Sequence, residues 1–147
     1  MSKAFIDTNV VVYANDAADT AKQNTAISLI TRALTGSWGV VSTQVMMEYV
    51  AVASNRLGQP RDAVTRQTFV LERLEVVPVS PEIIRNGLEF AAQYQLSFPD
   101  GVILAAAHAG RCDVLYSEDF AAGRRYAGIE ARNPFALPGT SPQTGQS

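Results

Sequence analysis

Short apolar runs alternate along the chain with longer segments whose apolar positions recur at helical spacing. Ala4-Phe5-Ile6 reads as a strand buried on both faces. Val10 to Ala14 is ambiguous between strand and helix by pattern, but Thr8 or Asn9 just before it makes a helix N-cap, so a turn into a helix is expected. Asp19 or Thr20 caps a helix to about Leu34, with Ala26, Ile27, Ile30 and Leu34 on one face and Thr35-Gly36 ending it. Trp38 to Ser42 is a second strand. Thr43 then caps a helix through about Leu57 that places Val45, Met46, Tyr49, Val52 and Ala53 on one side. Gly58-Gln59-Pro60 is a break, Asp62 opens a helix to about Leu74, and Val76 to Val79 is a third strand whose Pro78 assigns it to a sheet edge.

Ser80-Pro81-Glu82 starts another helix, to about Gln95, with a cap and proline at the first helical position. Phe98-Pro99-Asp100 starts the next, and Val102 to Ala109 is so apolar that it must be covered on several sides. Gly101 after Asp100 loosens the start of that helix, where a helix-favouring residue is more comfortable. Gly110 closes it. Val114-Leu115-Tyr116 is a fourth strand, and Ile129-Glu130-Ala131 a short fifth. Strands alternating with helices argue for an α/β three-layer sandwich, a parallel sheet of four to five strands flanked by helices. One domain is expected over residues 1–135. A disordered tail over 136–147 follows, because PGTSPQTGQS has nothing to bury.

Composition adds bounds. At 147 residues and 47 % hydrophobic the chain can bury a sizeable core. No apolar run approaches the ~18 residues of a membrane span, and no secretory signal is evident. The single Cys112 cannot form an internal disulfide, which fits a cytoplasmic protein, and it reads as a small buried thiol near a strand. A net charge of −2 does not announce a nucleic-acid binder, so any such substrate must be attracted by local Arg residues or by a metal ion.

The acids change the picture. Asp7 ends the first strand and Asp119 follows the fourth, so both lie at the carboxyl edge of a parallel sheet, where ligands bind in open α/β folds. Glu48, in the helix leaving the second strand, begins near the same edge. Asp100 is left open by pattern, because the far end of its helix feeds the fourth strand, which sets it at the opposite edge unless the helix lies obliquely. Convergent carboxylates repel one another and are stable together only with shared protons or a divalent cation. Hard oxygen ligands suit Mg²⁺ or Mn²⁺. Each acid alone also has a plainer reading as a cap or a solvated charge, and for Asp100 capping is a real competitor.

The order Asp7-Thr8-Asn9, Glu48, Asp100, Ser117-Glu118-Asp119-Phe120 and Asn133-Pro134-Phe135 resembles a PIN domain, and more narrowly the VapC-type toxins of bacterial toxin–antitoxin pairs. The likeness covers about residues 3–135; FIDTNVVVYA and DVLYSEDF are its specific parts. It implies a PIN-like sandwich and a metal-dependent endoribonuclease with Asp7, Glu48, Asp100 and Asp119 as the catalytic acids. It also implies Asp7, Asp100 and Asp119 as Mg²⁺ or Mn²⁺ ligands, and Thr8, Asn9 and Ser117 in support. An RNA substrate, a cognate antitoxin and a homodimer follow from the same likeness. Arg124 and Arg125 are candidates for holding an RNA phosphate, with ordinary surface charge as the alternative.

Other polar residues take plainer readings. His108 lies deep in the apolar helix with no metal or base role, Glu118 points away from Asp119, and Asp16 and Asp19 serve a turn and a cap. Two functions compete. One is a non-catalytic α/β binding module whose acids cap helices. The other is a phosphatase of the haloacid dehalogenase type, which expects an Asp where Asn9 stands and a placed Lys where only Lys3 and Lys22 exist.

Overall fold

The computed structural model describes residues 2–136, so the expected tail lies, but for Ala136, outside the described residues. Six strands, β1 (Ala4–Ile6), β2 (Gly39–Ser42), β3 (Glu75–Val77), β4 (Val114–Tyr116), β5 (Arg125–Tyr126) and β6 (Ile129–Arg132), form one sheet in the order β3-β2-β1-β4-β6-β5. All pairings are parallel except β5 with β6. The chain builds outward from β1 to β2 and β3, then crosses to the other side of β1 for β4. The crevice outside the carboxyl ends of β1 and β4 is therefore a topological switch point, where open α/β sheets bind ligands.

The helices are α1 (Thr8–Ala14), α2 (Thr20–Gly36), α3 (Thr43–Asn55), α4 (Arg61–Leu71), α5 (Pro81–Tyr94) and α6 (Phe98–Ala109). Val10, Val11 and Val12 are all buried, so the run shows no amphipathic period and pattern alone could not type it. Three caps sit earlier in the chain than expected, while Asp19 and Ser80 cap α2 and α5 as read. Asp7 rather than Thr8 or Asn9 caps α1, Ser42 rather than Thr43 caps α3, and Ser97 caps α6 by accepting from the Asp100 amide at 3.3 Å. Each cap keeps extended backbone angles, as the last non-helical residue must. Thr43, freed of capping, accepts from the Val79 amide at 3.0 Å and ties α3 to the segment after β3.

β3 is an edge strand, as Pro78 implies. The β5–β6 hairpin, by contrast, extends the sheet by an antiparallel strand that the sequence pattern did not disclose. Its two-residue turn has φ +52° at Ala127 and +83° at Gly128, the left-handed pair that a tight hairpin needs. Alanine is a poor signal for that geometry. Residues 101–107 of α6 are entirely buried, as its apolar run demands. His108 is not deep in that helix: the last turn emerges from the core and the imidazole is exposed, its ring edge-on to Phe90.

The direction of α6 removes the difficulty over Asp100. The helix runs antiparallel to the strands, its Gly110 end leading to the start of β4 at the amino edge, so its first turn lies at the carboxyl edge. No oblique packing is needed. Gly101 is explained by the partner helix. A Cβ there would stand 2.3 Å from the Gly87 carbonyl oxygen, and one on Gly87 would meet Val102 backbone atoms at 3.0 Å. The two glycines let α5 and α6 approach closely where Asp100 is presented, so the start of α6 is clamped and not loose.

Candidate active site

Asp7 leaves β1 at the switch-point crevice and is 4 % exposed. Its Oδ1 accepts from the Thr8 amide at 2.7 Å, and its Oδ2 accepts from the Ser117 hydroxyl at 2.8 Å. Ser117, the residue after β4, is fully buried and works in both directions, since its oxygen also accepts from the Asp119 amide at 3.0 Å and Asn9 Nδ2 at 3.2 Å. Asn9 in turn donates to Asp119 Oδ2 at 3.1 Å and accepts from the Glu118 amide at 3.4 Å. One turn after β1 and one turn after β4 are thus laced together through neutral side chains. Asn9, where a haloacid dehalogenase phosphatase expects an acid, is committed to this lacing.

Glu48 lies half-buried in the second turn of α3. The Thr8 hydroxyl donates to its Oε1, and Gln44 Nε2 donates to its Oε2 at 3.1 Å. The same Gln44 nitrogen donates to the Pro99 carbonyl at 3.0 Å, which joins α3 to the first turn of α6 beside Asp100. The three expected supporting residues therefore each hold an acid: Thr8 holds Glu48, Asn9 holds Asp119 and Ser117 holds Asp7.

The acids also sense one another. Burial pushes the Asp7 carboxyl up to about 7, against the opposing pull of its Ser117 and Thr8 hydrogen bonds, with the charges of Asp100 and Asp119 adding to the rise. Asp100 is raised by burial first, with further contributions from Asp119 and Glu48. These couplings tie Asp7, Glu48, Asp100 and Asp119 into one electrostatic cluster. Among the described residues, no three Asp, Glu, His or Cys side chains are drawn together tightly enough to hold an ion as they stand. Each of Asp7, Glu48 and Asp119 is instead held in place by the neutral donors around it. The donor set, all carboxylate oxygen with partners that leave lone pairs free, matches a hard divalent cation.

Glu118 turns from Asp119 toward the opposite wall, as alternation along the segment implies. It accepts from Tyr13 Oη at 2.8 Å and Lys22 Nζ at 3.1 Å, and Lys22 lies 4.5 Å from the Tyr13 ring centre. That clamp, which also packs Phe135 against Tyr13, is invisible in the sequence because its members are 96 residues or more apart across it. Gln44 was missed too, although its position one turn before Glu48 is the ordinary i,i+4 signal. Arg124 and Arg125 are not bonded to the acids. The Arg124 guanidinium stacks 4.8 Å from the Tyr126 ring centre, and Arg125 donates to the Gly128 carbonyl at 3.4 Å. Cys112 is buried and its thiol pushed up to about 12 by desolvation, which leaves it chemically inert at neutral pH.

Comparison with protein families matches residues 4–127 to the PIN domain, a span that contains all four acids. A search of curated proteins finds no match. Among solved structures, the chain is similar to a toxin–antitoxin complex from Klebsiella pneumoniae, with 21 % identity, TM-score 0.62, and 92 % of this chain and 100 % of that chain covered. It is similar to Mycobacterium tuberculosis VapC20, described as a sarcin–ricin loop cleaving toxin, with 18 % identity, TM-score 0.65, and 87 % and 99 % covered. A DNA-bound VapBC from Salmonella typhimurium gives 19 % identity, TM-score 0.65, and 91 % and 99 % covered. At such identities the likeness is one of fold.

Proposed function

The chain belongs to the PIN domain family, and on that premise we propose that it is a metal-dependent endoribonuclease, the toxin of a toxin–antitoxin pair. Asp7, Glu48, Asp100 and Asp119 are its catalytic acids in this reading. The observation that carries it is the convergence of these acids at the β1–β4 switch point, where the charges of Asp100 and Asp119 add to the rise of buried Asp7 and those of Asp119 and Glu48 add to the rise of Asp100. A buried carboxylate whose proton affinity is raised in part by neighbouring acids is what a cation site looks like before the cation. A module whose acids merely cap helices accounts for Asp7 at α1 and for Asp100 beside the Ser97 cap of α6, but not for Glu48, which lies in the second turn of α3 and caps nothing.

Asp7, Asp100 and Asp119 would hold Mg²⁺ or Mn²⁺. When bound, the ion neutralises phosphate charge and makes a nearby water more acidic. Glu48, fixed by Thr8 and Gln44, orients the attacking water and accepts its proton. The water oxygen bonds to phosphorus as the bond from phosphorus to the 3′ oxygen breaks, and the departing 3′ oxygen takes a proton from solvent, leaving a 5′-phosphate and a 3′-hydroxyl. Asn9 and Ser117 keep Asp119 and Asp7 from swinging apart under their repulsion. Arg124 and Arg125 hold RNA phosphates flanking the cut.

Structural neighbours described as toxin–antitoxin complexes support a protein antitoxin as partner, one that offers a cation to the acid cluster. A homodimer is the family's common state, and exposed Met47, Ile84 and Phe98, which share one groove, supply apolar area for it. Among the described residues no helix is long and apolar enough to cross a membrane, and a cytoplasmic site of action fits an RNA target.

The test is cleavage of RNA by the purified protein with Mn²⁺ or in chelator, alongside Asp7→Asn. The parent should cut only with metal, and sequencing the 5′ ends of the fragments should give its site. Asp7→Asn should stay folded and cut nothing. Full metal-dependent activity in Asp7→Asn would sink the assignment.

A further inference from the structure

Gln44 carries a feature that packing alone does not explain. Its Nε2 makes two hydrogen bonds, to Glu48 Oε2 at 3.1 Å and to the Pro99 carbonyl at 3.0 Å, while its Oε1 is buried with no partner among the described residues. The amide cannot be turned over, because its oxygen would then face two acceptors. An orphan acceptor costs stability that an apolar side chain of similar size would not lose. The fold keeps the amide for its donor side.

What that side joins is specific. Glu48 belongs to α3, which leaves β2; Pro99 lies in the first turn of α6 and immediately precedes Asp100. No backbone hydrogen bond links the two helices at this point among the described residues. Asp7 and Asp119 are spaced by the neighbouring strands β1 and β4, whereas Glu48 and Asp100 project from separate helices whose charges repel. We infer that Gln44 is a positioning residue that sets the distance between Glu48 and Asp100 by strapping α3 to the start of α6. This rests on the nuclease reading for its consequence, but not for its geometry.

The experiment uses the full chain and Gln44→Met, which keeps length and volume and removes both donors. Three quantities are read: melting temperature in chelator, the Mn²⁺ dissociation constant from paramagnetic resonance of the free ion, and RNA cleavage with Mn²⁺ saturating. Gln44→Met should melt in chelator close to the parent temperature, since losing the orphan acceptor offsets the hydrogen bonds that Glu48 and Pro99 give up. Its Mn²⁺ binding should weaken about 10–100-fold, the range for loss of a residue that orients ligands. With Mn²⁺ saturating, kcat should fall while the RNA KM holds. Gln44→Asn, too short to reach both acceptors, should bind Mn²⁺ as weakly, and it replaces Gln44→Met if that variant does not fold. A lower melting temperature with unchanged Mn²⁺ affinity would show a purely structural glutamine and overturn the inference. If the parent binds Mn²⁺ but cuts no RNA, the nuclease reading fails while the dissociation constants still decide the role of Gln44. If the parent binds no Mn²⁺, both fall.

Discussion

Ser117 Oγ donates to Asp7 Oδ2 at 2.8 Å, and both side chains are buried. The contact joins the ends of two adjacent parallel strands, and it offsets part of the cost of burying a carboxylate beside others. Ser117→Ala removes the donor and leaves an acceptor unsatisfied, so it should destabilise the fold by about 1–3 kcal/mol. It should also push the Asp7 carboxyl higher. Because proton and metal compete for Asp7, Mn²⁺ affinity in Ser117→Ala should fall most at pH 6 and recover as pH rises. An affinity loss equal at pH 6 and pH 8 would show that Ser117 acts only through the position of Asp119.

The same carboxyl gives a stability signature in chelator. Its folded value, about 7, lies above the ordinary 3.8. Between these values the folded state holds a proton that the unfolded chain releases, so the stability tied to Asp7 is complete below about pH 4 and is lost as pH rises to about 7. The metal-free parent should therefore lose melting temperature across that window, and Asp7→Asn should lose less. Thermal melts at half-unit intervals measure the difference. Parallel curves for the two proteins would contradict the raised carboxyl.

Much of this arrangement is legible along the chain, and the exceptions share a cause. Ala4-Phe5-Ile6 and Val114-Leu115-Tyr116 announce themselves as buried strands because both faces are covered, and Pro78 marks β3 as an edge. Asp7 and Asp119 follow from those strands directly. Glu48 and Asp100 sit on helices, and their convergence depends on helix direction and on interhelical spacing, which local pattern does not carry. Gly101 shows this most plainly. Read locally it weakens a helix; in the fold it is what lets Gly87 lie against it. The β5–β6 hairpin escaped notice for a similar reason, since nothing in an Ala-Gly pair declares a left-handed turn until the flanking strands close on it.

Gly101→Ala tests that close approach. The added methyl would meet the Gly87 carbonyl oxygen at 2.3 Å and Ala91 Cβ at 3.0 Å, and a backbone atom cannot swing aside. Alanine's better helix propensity, about 1 kcal/mol, favours the variant, while overpacking costs about 1–3 kcal/mol or more. The clash should win, with a net loss read in denaturant titrations. The separation of α5 and α6 it forces moves Asp100, so Mn²⁺ binding should weaken as well. A variant more stable than the parent would mean the helices part without cost.

Asp119 offers the sharpest separation of a metal ligand from a structural acid. It is exposed, accepts only from Asn9 Nδ2 among the described residues, and its charge raises both Asp7 and Asp100. In chelator, Asp119→Asn should melt at the parent temperature or above it, because a repulsive charge is gone and the amide oxygen can still accept from Asn9. Divalent metal binds only the folded site, so it stabilises the parent by about 1.4 kcal/mol at roughly ten times its dissociation constant. The mutant should gain clearly less in millimolar Mn²⁺. An acid that merely caps or solvates predicts another pair of results, a loss of about 0.5–2 kcal/mol whether or not metal is present. Four melting curves decide between them. Equal losses with and without Mn²⁺ would make Asp119 a structural residue and remove it from the site.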